Sequence, residues 1–343
     1  MYCTLPLIAD SHFASPPPAR TTSNSKSDSV YLQDDTEDGM SLHNDHLWGI
    51  ILAAGEGIRL QQYIRSRFNS DRPKQFCVFT GTRSMLAHTI ARAEVLIPRE
   101  RLLVTVNSEH RIYAQVELAG IDKENVIVQP SNKETSASIL LPLLHIIRRD
   151  PEARVVIFPS DHFIVREERF MEHVAAGAEF VEHHAKYLVL LGTESEEFLP
   201  DYGWIETSMR IAEIRGCDIF RVKRFLEKPD AKKAYTLQKE RTVCNTMVFI
   251  GYASALLRKF RLITPTVFQA FKQIDAGLFS PAQEEILKEV YSGLPAVDFS
   301  KAILAHDPRG LAVLRVRNVY WNDWGSGARI QADLARLQAE SEF

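Results

Sequence analysis

An apolar run of strand length that ends in a glycine turn constrains this chain more than any other feature of its sequence. The run Trp48–Ala53 leads into Gly55-Glu56-Gly57, and Arg59 follows two residues later. Glycines permit a tight turn whose backbone N–H groups approach a ligand, and a guanidinium beside them adds positive charge. This combination favours phosphate binding. It lacks the Gly-Lys-Ser/Thr end of a P-loop, and Leu60 stands where a dinucleotide fingerprint requires a third glycine.

Further apolar runs alternate with segments of helical periodicity. The runs are continuous, which is typical of strands that are buried on both faces of a sheet. This β-α-β alternation predicts an α/β fold with a mostly parallel, doubly wound sheet. Helical spacing over Ile139–Ile147 is one example, and an amphipathic final helix near Ala328–Ala339 is expected to pack on the sheet. The apolar runs are Trp48–Ala53, Leu102–Val106, Val126–Val128, Val155–Phe158 and Leu188–Leu191.

The first 46 residues differ in composition from the rest of the chain. A proline run, then serines, threonines and acidic residues, predict a disordered tail over 1–46 before one domain over 47–343. No run approaches the ~20 apolar residues of a membrane helix, and a net charge of −3 indicates neither a nucleic acid nor a membrane partner. The four cysteines lack metal-binding or disulfide spacing, which favours a reducing, cytoplasmic setting.

Two aspartates are candidate magnesium ligands. Asp161 follows an apolar run and a Pro-Ser corner, and Asp323 comes after the alternating run Leu311–Val316. The carboxyl ends of strands are where ligands bind in open α/β sheets. The two carboxylates are therefore predicted to share one Mg²⁺ with phosphate oxygens. The alternative roles are a helix cap for Asp161 and a turn residue before Gly325 for Asp323.

Four residues in the second half of the chain are candidates for binding a phosphorylated sugar. Lys228 precedes a proline that ends its strand and can reach a phosphate, while Glu227 can accept hydrogen bonds from sugar hydroxyls. Gly203 permits close backbone approach to a ligand, and the Asn245 amide can bind hydroxyls. The alternatives are a solvated ion pair for the two charged residues, a turn glycine and a strand-entry cap.

Eight short motifs occur in order along the chain. They read Leu-Ala-Ala-Gly-Glu-Gly-Ile-Arg-Leu, Arg-Pro-Lys-Gln-Phe, Gln-Pro-Ser-Asn-Lys-Glu-Thr, Phe-Pro-Ser-Asp-His, Tyr-Gly-Trp-Ile-Glu, Phe-Leu-Glu-Lys-Pro, Asn-Thr-Met-Val-Phe and Trp-Asn-Asp-Trp-Gly-Ser. This series resembles the sugar-phosphate nucleotidyltransferases over nearly all of residues 48–335, and it looks most like their mannose-1-phosphate guanylyltransferase branch. The resemblance implies a Rossmann-like α/β/α sandwich with a mostly parallel mixed sheet.

The resemblance also implies a reaction and a role for individual residues. A nucleoside triphosphate and a sugar 1-phosphate would give a nucleotide sugar and pyrophosphate; in the mannose branch the substrates are GTP and mannose 1-phosphate, and the cofactor is Mg²⁺. The implied catalytic residues are Arg59, Lys74, Asp161 and Asp323, the two aspartates being the metal ligands. The implied nucleotide-binding residues are Ala53, Ala54, Gly55, Gly57, Arg59, Lys74, Gln129, Thr135 and Ser160. The implied sugar-phosphate ligands are Asp161, Gly203, Glu227, Lys228 and Asn245.

In this chemistry an oxygen of the sugar phosphate attacks the α-phosphorus in line, and pyrophosphate leaves. Positioning and charge neutralisation carry such catalysis, so no covalent intermediate is expected. The habit of the family implies a homodimer.

Three features depart from the family pattern. The loop before Lys74 is longer, with Arg65–Asp71 inserted; Lys133-Glu134-Thr135 replaces the usual Arg-Asn-Thr; and the chain ends soon after Asp323, which leads us to expect a single activity. The altered base segment leaves open the same chemistry with another base or sugar. Two further hypotheses are a catalytically silent nucleotide-sugar-binding regulatory protein and a nicotinamide dehydrogenase.

Overall fold

The computed structural model describes residues 45–194, 200–240 and 242–341, so the predicted tail over 1–46 lies almost wholly outside the described residues. Strands and helices alternate through the first half of the described chain, as the apolar runs predict. The strands are β1 Leu47–Leu52, β2 Leu102–Asn107, β3 Val126–Gln129, β4 Arg154–Pro159, β5 Phe163–Val165, β6 Leu188–Thr193, β7 Gly203–Ile214, β8 Cys217–Glu227, β9 Val243–Tyr252, β10 Leu311–Val316 and β11 Tyr320–Asn322. The α-helices are α1 Gln61–Phe68, α2 Met85–Glu94, α3 Arg111–Glu117, α4 Glu134–Arg149, α5 Glu167–His183, α6 Ala231–Lys239, α7 Ala253–Ile263, α8 Pro265–Gly277, α9 Gln283–Gly293 and α10 Gly327–Ser341.

Nine of the strands form one mixed sheet in the order β3-β2-β1-β4-β9-β6-β10-β8-β7. The pairs among β1 to β4 are parallel, as is the pair β6–β10, whereas β8 and β9 run antiparallel to their neighbours. Strand β7 also pairs with β9, where Trp204 lies opposite Cys244, so that β9, β6, β10, β8 and β7 close into a ring. The mostly parallel mixed sheet is confirmed.

Helices cover both faces of this sheet and give the α/β/α layering. Helices α2, α3 and α5 contribute to the apolar cluster on one face, and α4, α7, α8 and α9 contribute to the cluster on the other. Because both faces are covered, the central strands are buried along almost their whole length. Within the described part of the chain, no helix has the length and apolar character needed to cross a bilayer.

The final helix packs in a different place from the one expected. Ile330 of α10 belongs to a separate apolar cluster with Ile64 of α1 and Trp324, and not to either cluster that covers the large sheet. The polar side chain of Asp333 binds Tyr320 and Asn322 of the small β5–β11 sheet. The expectation that this helix packs on the large sheet was therefore wrong, because its apolar face matches the β11 segment and α1.

The carboxyl ends of β1 to β4 lie at one edge of the sheet. Register places Leu52 beside Pro159 on one side and beside Thr105 on the other, and Asn107 beside Gln129. The loops that follow these strands are thereby gathered together, at the edge where open α/β sheets bind ligands.

Candidate active site

The glycine turn after β1 is held from behind by a side-chain amide. Gln75 Nε2 donates to the carbonyl oxygens of Ala53 at 2.9 Å and of Gly55 at 2.8 Å. Gly57 adopts a left-handed conformation with φ 64°, which glycine accommodates without steric cost. No described residue accepts a hydrogen bond from the N–H groups of residues 55–57. The turn therefore has the carbonyls of Ala53 and Gly55 bound and its N–H donors free, which is the arrangement that an anion requires.

Behind the same turn runs a chain of buried polar side chains. Asn107 Nδ2 donates to the carbonyl oxygen of Ala54 at 2.8 Å, and Gln129 Nε2 donates to Asn107 Oδ1 at 2.7 Å. Ser138 Oγ donates in turn to Gln129 Oε1 at 3.3 Å. Gln129 is completely buried, so its side chain supports the turn, and its predicted place near the base stays a prediction.

Two other predicted nucleotide ligands already have protein partners. Ser160 Oγ donates to the carbonyl oxygen of Leu52 at 2.7 Å, which ties β4 to the end of β1. Thr135 Oγ1 accepts a hydrogen bond from the Phe299 N–H at 2.8 Å. Both hydroxyls thus have structural roles, and their contacts with a nucleotide stay predictions.

Lys74 joins the two aspartates that the sequence proposes as metal ligands. Its Nζ lies 2.9 Å from Asp161 Oδ2 and donates to the backbone carbonyl of Asp323. The Lys74 side chain is only 4% exposed, so its ammonium is bound by these two partners with little access to solvent. The β5–β11 pairing explains the proximity, because Asn322, next to Asp323, lies opposite Phe163, two residues after Asp161.

The charge on Asp161 is set by its neighbours. Burial, the largest single influence, would raise the pKa of Asp161, but the Lys74 ammonium, the neighbouring His162 and hydrogen bonds from Lys74 and from its own backbone together hold that pKa below its usual value. Burial lowers the pKa of His162 to about 4, so its imidazole is neutral at pH 7. Trp321 Nε1 donates to His162 Nδ1 at 3.2 Å, which leaves the imidazole proton on Nε2, 3.9 Å from Asp161 Oδ1.

Asp323 is held by three donors on one oxygen. Its Oδ1 accepts from the Tyr202 hydroxyl, from the Gly325 N–H at 2.9 Å and from Arg329 Nη1 at 3.2 Å. Burial and the nearby Asp323 charge raise the pKa of Tyr202, so the phenol keeps its proton and donates. Because its carboxylate accepts from the Gly325 N–H, Asp323 is also a turn residue before Gly325, which is the alternative role given in the sequence analysis.

The two carboxylates fit a magnesium ion. Among the described residues, no side chain donates a hydrogen bond to Asp161 Oδ1 or to Asp323 Oδ2. A Cβ atom at Gly325 would lie 2.9 Å from Asp323 Oδ2, so glycine keeps that oxygen accessible. The described ranges contain no group of three or more His, Cys, Asp or Glu side chains that could hold a metal. Two carboxylates with phosphate oxygens are the set that Mg²⁺ uses in many phosphate-binding sites.

Two predicted phosphate ligands, Arg59 and Lys228, are exposed. The Arg59 side chain is 63% exposed, with Nη1 3.9 Å from Asp201 Oδ2. Lys228 Nζ lies 3.4 Å from Glu227 Oε1, and its side chain is 57% exposed. Such pairs contribute little to stability, so both cations can move to an anionic ligand at small cost.

The sugar candidates lie where β7, β8 and β9 meet. Gly203 pairs with Glu227, and a Cβ at position 203 would lie 2.9 Å from Glu227 Oε2, so glycine is needed beside that carboxylate. Burial raises the pKa of Glu227, and the charge of Asp298 adds to the effect. Asn245 is buried, and its Oδ1 accepts from the Met247 N–H at 3.2 Å inside β9, not at the start of the strand, so its binding of sugar hydroxyls stays a prediction.

Contacts join most of the candidates into one region. Lys74 donates to the Asp323 carbonyl, and the Asp323 carboxylate accepts from the Tyr202 hydroxyl. The Tyr202 carbonyl oxygen in turn accepts from the Lys228 N–H at 3.1 Å. Gly203 follows Tyr202 directly in the chain. Thr135 is not part of this series of contacts, and its hydroxyl accepts from the Phe299 N–H.

Four residues that support this region have no role in our sequence analysis. Gln75 and Asn107 hold the glycine turn, and Tyr202 and Arg329 hold Asp323. Gln75 and Tyr202 lie inside two of the eight motifs, each directly beside a predicted ligand. Their place in the sequence could therefore have identified them as supporting residues. Nothing in the local sequence connects Arg329, on the last helix, with an aspartate six residues earlier.

The fold and this site define a class of protein. The sequence model of the nucleotidyl transferase family matches residues 48–330, which is most of the chain. The chain belongs to the nucleotidyl transferase family.

Comparison with individual relatives shows which members of the family this chain resembles. The chain is 30% identical to a mannose-1-phosphate guanylyltransferase of Salmonella muenchen, over 81% of this chain and 57% of that protein. It is 27% identical to the xanthan biosynthesis protein XanB of Xanthomonas campestris pv. campestris, again over 81% and 57%. The chain thus spans little more than half the length of these curated relatives. A crystal structure described as a mannose-1-phosphate geranyltransferase from Thermus thermophilus matches with a TM-score of 0.70 and 26% identity, covering 82% of this chain and 76% of that one.

Proposed function

We propose that this protein transfers a guanylyl group from GTP to mannose 1-phosphate, giving GDP-mannose and pyrophosphate. One observation carries the proposal: buried Lys74 joins Asp161 and Asp323 beside a glycine turn whose N–H groups are free. A cation, two carboxylates and an anion-binding turn are the parts that phosphoryl chemistry requires. The mannose branch rests on the likeness to the mannose-1-phosphate guanylyltransferase of Salmonella muenchen.

Each group then has a task in the reaction. The free N–H groups of residues 55–57 bind triphosphate oxygens, and Arg59 neutralises their charge. Glu227 and Lys228 hold the sugar phosphate by its hydroxyls and its phosphate. An oxygen of that phosphate forms a bond to the α-phosphorus while the bond from the α-phosphorus to the bridging oxygen breaks, and pyrophosphate leaves. No protein nucleophile takes part in this step.

Asp161 and Asp323 would hold Mg²⁺, which when bound neutralises charge that develops on the phosphate oxygens. Lys74 keeps the two aspartate segments together and supplies a fixed positive charge beside them. His162, neutral at pH 7, adds no charge of its own.

The test is pyrophosphate release with Mg²⁺ from GTP, ATP, CTP, UTP and dTTP, each with mannose 1-phosphate and glucose 1-phosphate. The proposal expects a clear preference for GTP with mannose 1-phosphate. Turnover of another pair would keep the chemistry and reject the substrates. Nucleotide binding without pyrophosphate release from any pair would favour a protein that only binds its ligands.

A further inference from the structure

We infer that helix α10 positions Asp323 for metal binding, through two residues that act on it from one side. Asp333 fixes the segment on both sides of Asp323, and Arg329 fixes which oxygen of its carboxylate stays accessible. The inference rests on the proposed function, because it concerns the same site. It assigns a function to Asp333, a buried carboxylate that takes no part in the proposed reaction.

Asp333 is a buried carboxylate that accepts hydrogen bonds from neutral side chains. It is 5% exposed, and its Oδ1 accepts from the Tyr320 hydroxyl at 2.6 Å. Its Oδ2 accepts from Asn322 Nδ2 at 3.0 Å and from Trp324 Nε1 at 2.7 Å. Burying a carboxylate is costly unless hydrogen bonds replace its water, and bonds to an ionised acceptor are strong.

The partners of Asp333 flank the metal candidate. Asn322 and Trp324 are the residues directly before and after Asp323, so one carboxylate holds both neighbours of another. This arrangement fixes the backbone that carries Asp323.

Arg329 lies one helical turn before Asp333, so both side chains leave the same face of α10. Its Nη1 lies 3.2 Å from Asp323 Oδ1 and 3.0 Å from the Tyr202 hydroxyl oxygen. The guanidinium carbon also lies 5.3 Å from the centre of the Tyr202 ring. Because Arg329 and Tyr202 both bind Oδ1, the carboxylate presents Oδ2 to a cation.

The helix also has an apolar anchor, Ile330, which makes none of the polar contacts of Arg329. Ile330, next to Arg329, is fully buried in a cluster with Ile64, Phe79 and Trp324. Removing the Arg329 guanidinium should therefore leave α10 in place. An altered metal affinity can then be separated from a loss of fold.

The experiment compares Arg329→Met and Asp333→Asn with the wild-type chain, using Gln331→Ala on the exposed side of α10 as the matched control. Mn²⁺ is titrated into the full-length chain with bound GTP and without sugar phosphate, and free Mn²⁺ is followed by electron paramagnetic resonance. Changes to the groups that support metal ligands weaken metal binding by about 10–100-fold. We expect about tenfold for Arg329→Met, a smaller loss for Asp333→Asn, and none for Gln331→Ala.

Two further readouts separate positioning from general damage. GTP affinity without metal should stay within about twofold in all variants, since the hydrogen bonds of Arg329 and Asp333 involve none of residues 55–57. The near-ultraviolet circular dichroism of the tryptophans should change in Asp333→Asn, because Trp324 loses its charged acceptor. Wild-type Mn²⁺ affinity in both Arg329→Met and Asp333→Asn would overturn the inference.

A second variant covers the case in which Arg329→Met is unstable. Arg329→Lys keeps the charge and loses the planar fork, so intermediate Mn²⁺ affinity supports the inference and wild-type affinity overturns it. The Mn²⁺ titration needs no turnover. An absence of pyrophosphate release from wild type would therefore contradict the proposed function while the titration still decides the role of α10.

Discussion

The glycine turn and the aspartate pair lie side by side, yet the protein holds them by different means. Neutral amides hold the turn, with Gln75 Nε2 on the carbonyls of Ala53 and Gly55. Charged groups hold the pair, with the Lys74 ammonium 2.9 Å from Asp161 and the Arg329 guanidinium 3.2 Å from Asp323 Oδ1.

The difference follows from what each region has to bind. A turn that receives a phosphate needs free N–H donors, and amides bind its carbonyls without adding a charge that would repel or trap the ligand. Two carboxylates that await a cation repel each other, and fixed positive groups offset that repulsion. Damage to the turn should therefore appear as weaker nucleotide binding. Damage to the pair should appear in the metal dependence and in the chemical step.

The largest combined effect on activity and stability is expected from Lys74→Met. The change leaves the Asp161 carboxylate without its cation and removes the hydrogen bond to the Asp323 carbonyl. We expect kcat to fall by about 10²–10³ and the free energy of unfolding to fall by about 2–4 kcal/mol, the lower end reflecting the partial exposure of Asp161. Steady-state kinetics and urea unfolding measure the two effects. Lys288→Met, at an exposed pair on α9, is the control and should change stability by less than about 0.5 kcal/mol.

Gln75→Ala tests the neutral half of the comparison. Losing two hydrogen bonds to the turn should weaken GTP binding by about tenfold or more and cost about 1–3 kcal/mol of stability. The Mg²⁺ concentration for half-maximal rate should stay near its wild-type value. Gln62→Ala, an exposed amide on α1, serves as the control. A shift in metal dependence without a change in GTP affinity would show that the two regions are not held independently.

Gly203→Ala extends the comparison to the sugar side of the site. The added Cβ would lie 2.7 Å from Phe225 Cζ and 2.9 Å from Glu227 Oε2, so Glu227 must move. We expect kcat/KM for the sugar 1-phosphate to fall by about 10-fold, while GTP binding stays within about twofold. Gly293→Ala, where a Cβ meets nothing within 4 Å, is the matched control. Equal losses for both substrates would contradict a separate sugar side.

The effect that is smallest at neutral pH concerns stability in acid, away from both regions. Burial lowers the pKa of His145 to about 4, from an ordinary value of 6.5. Below pH 6.5 the unfolded chain binds a proton that the folded chain refuses until about pH 4, so stability falls as the pH falls through this window. The loss should reach no more than about 3 kcal/mol near pH 4.

His145→Gln should flatten part of this acid dependence in urea unfolding measured at about pH 7 and about pH 4.5. Only part is expected to disappear, because burial also lowers the pKa of His110, His162 and His173. The same pH dependence in variant and wild type would show that His145 does not carry the effect.

Sequence patterns were sufficient for the sheet and for the elements that form the glycine turn. Continuous apolar runs predicted β1 to β4 and β6 within one or two residues at each end, and the alternating run predicted β10. Burial on both faces leaves a signal in every residue of such strands. The ring closed by β7 and β9 left no such signal, because strand order depends on contacts between distant parts of the chain.

The same distinction applies to the site. Lys74, Asp161 and Asp323 were recognisable because each stands beside a strand end or within a motif. The contact of Lys74 with both aspartates depends on the β5–β11 register, which no local pattern encodes. Arg329 was hidden for the same reason, since its helix was expected on the large sheet and packs on the β11 segment instead.

The most direct test of the account is pyrophosphate release from GTP and mannose 1-phosphate with Mg²⁺ by wild type and by Asp161→Asn, measured beside their unfolding free energies. Asn keeps the shape and removes the charge that faces Lys74 and the metal. We expect release that needs both substrates in wild type and a loss of several kcal/mol of transition-state stabilisation, about 10³-fold, in a variant that remains folded. Equal rates in the two proteins would contradict the assignment of Asp161, and with it the central place of the Lys74-linked aspartate pair.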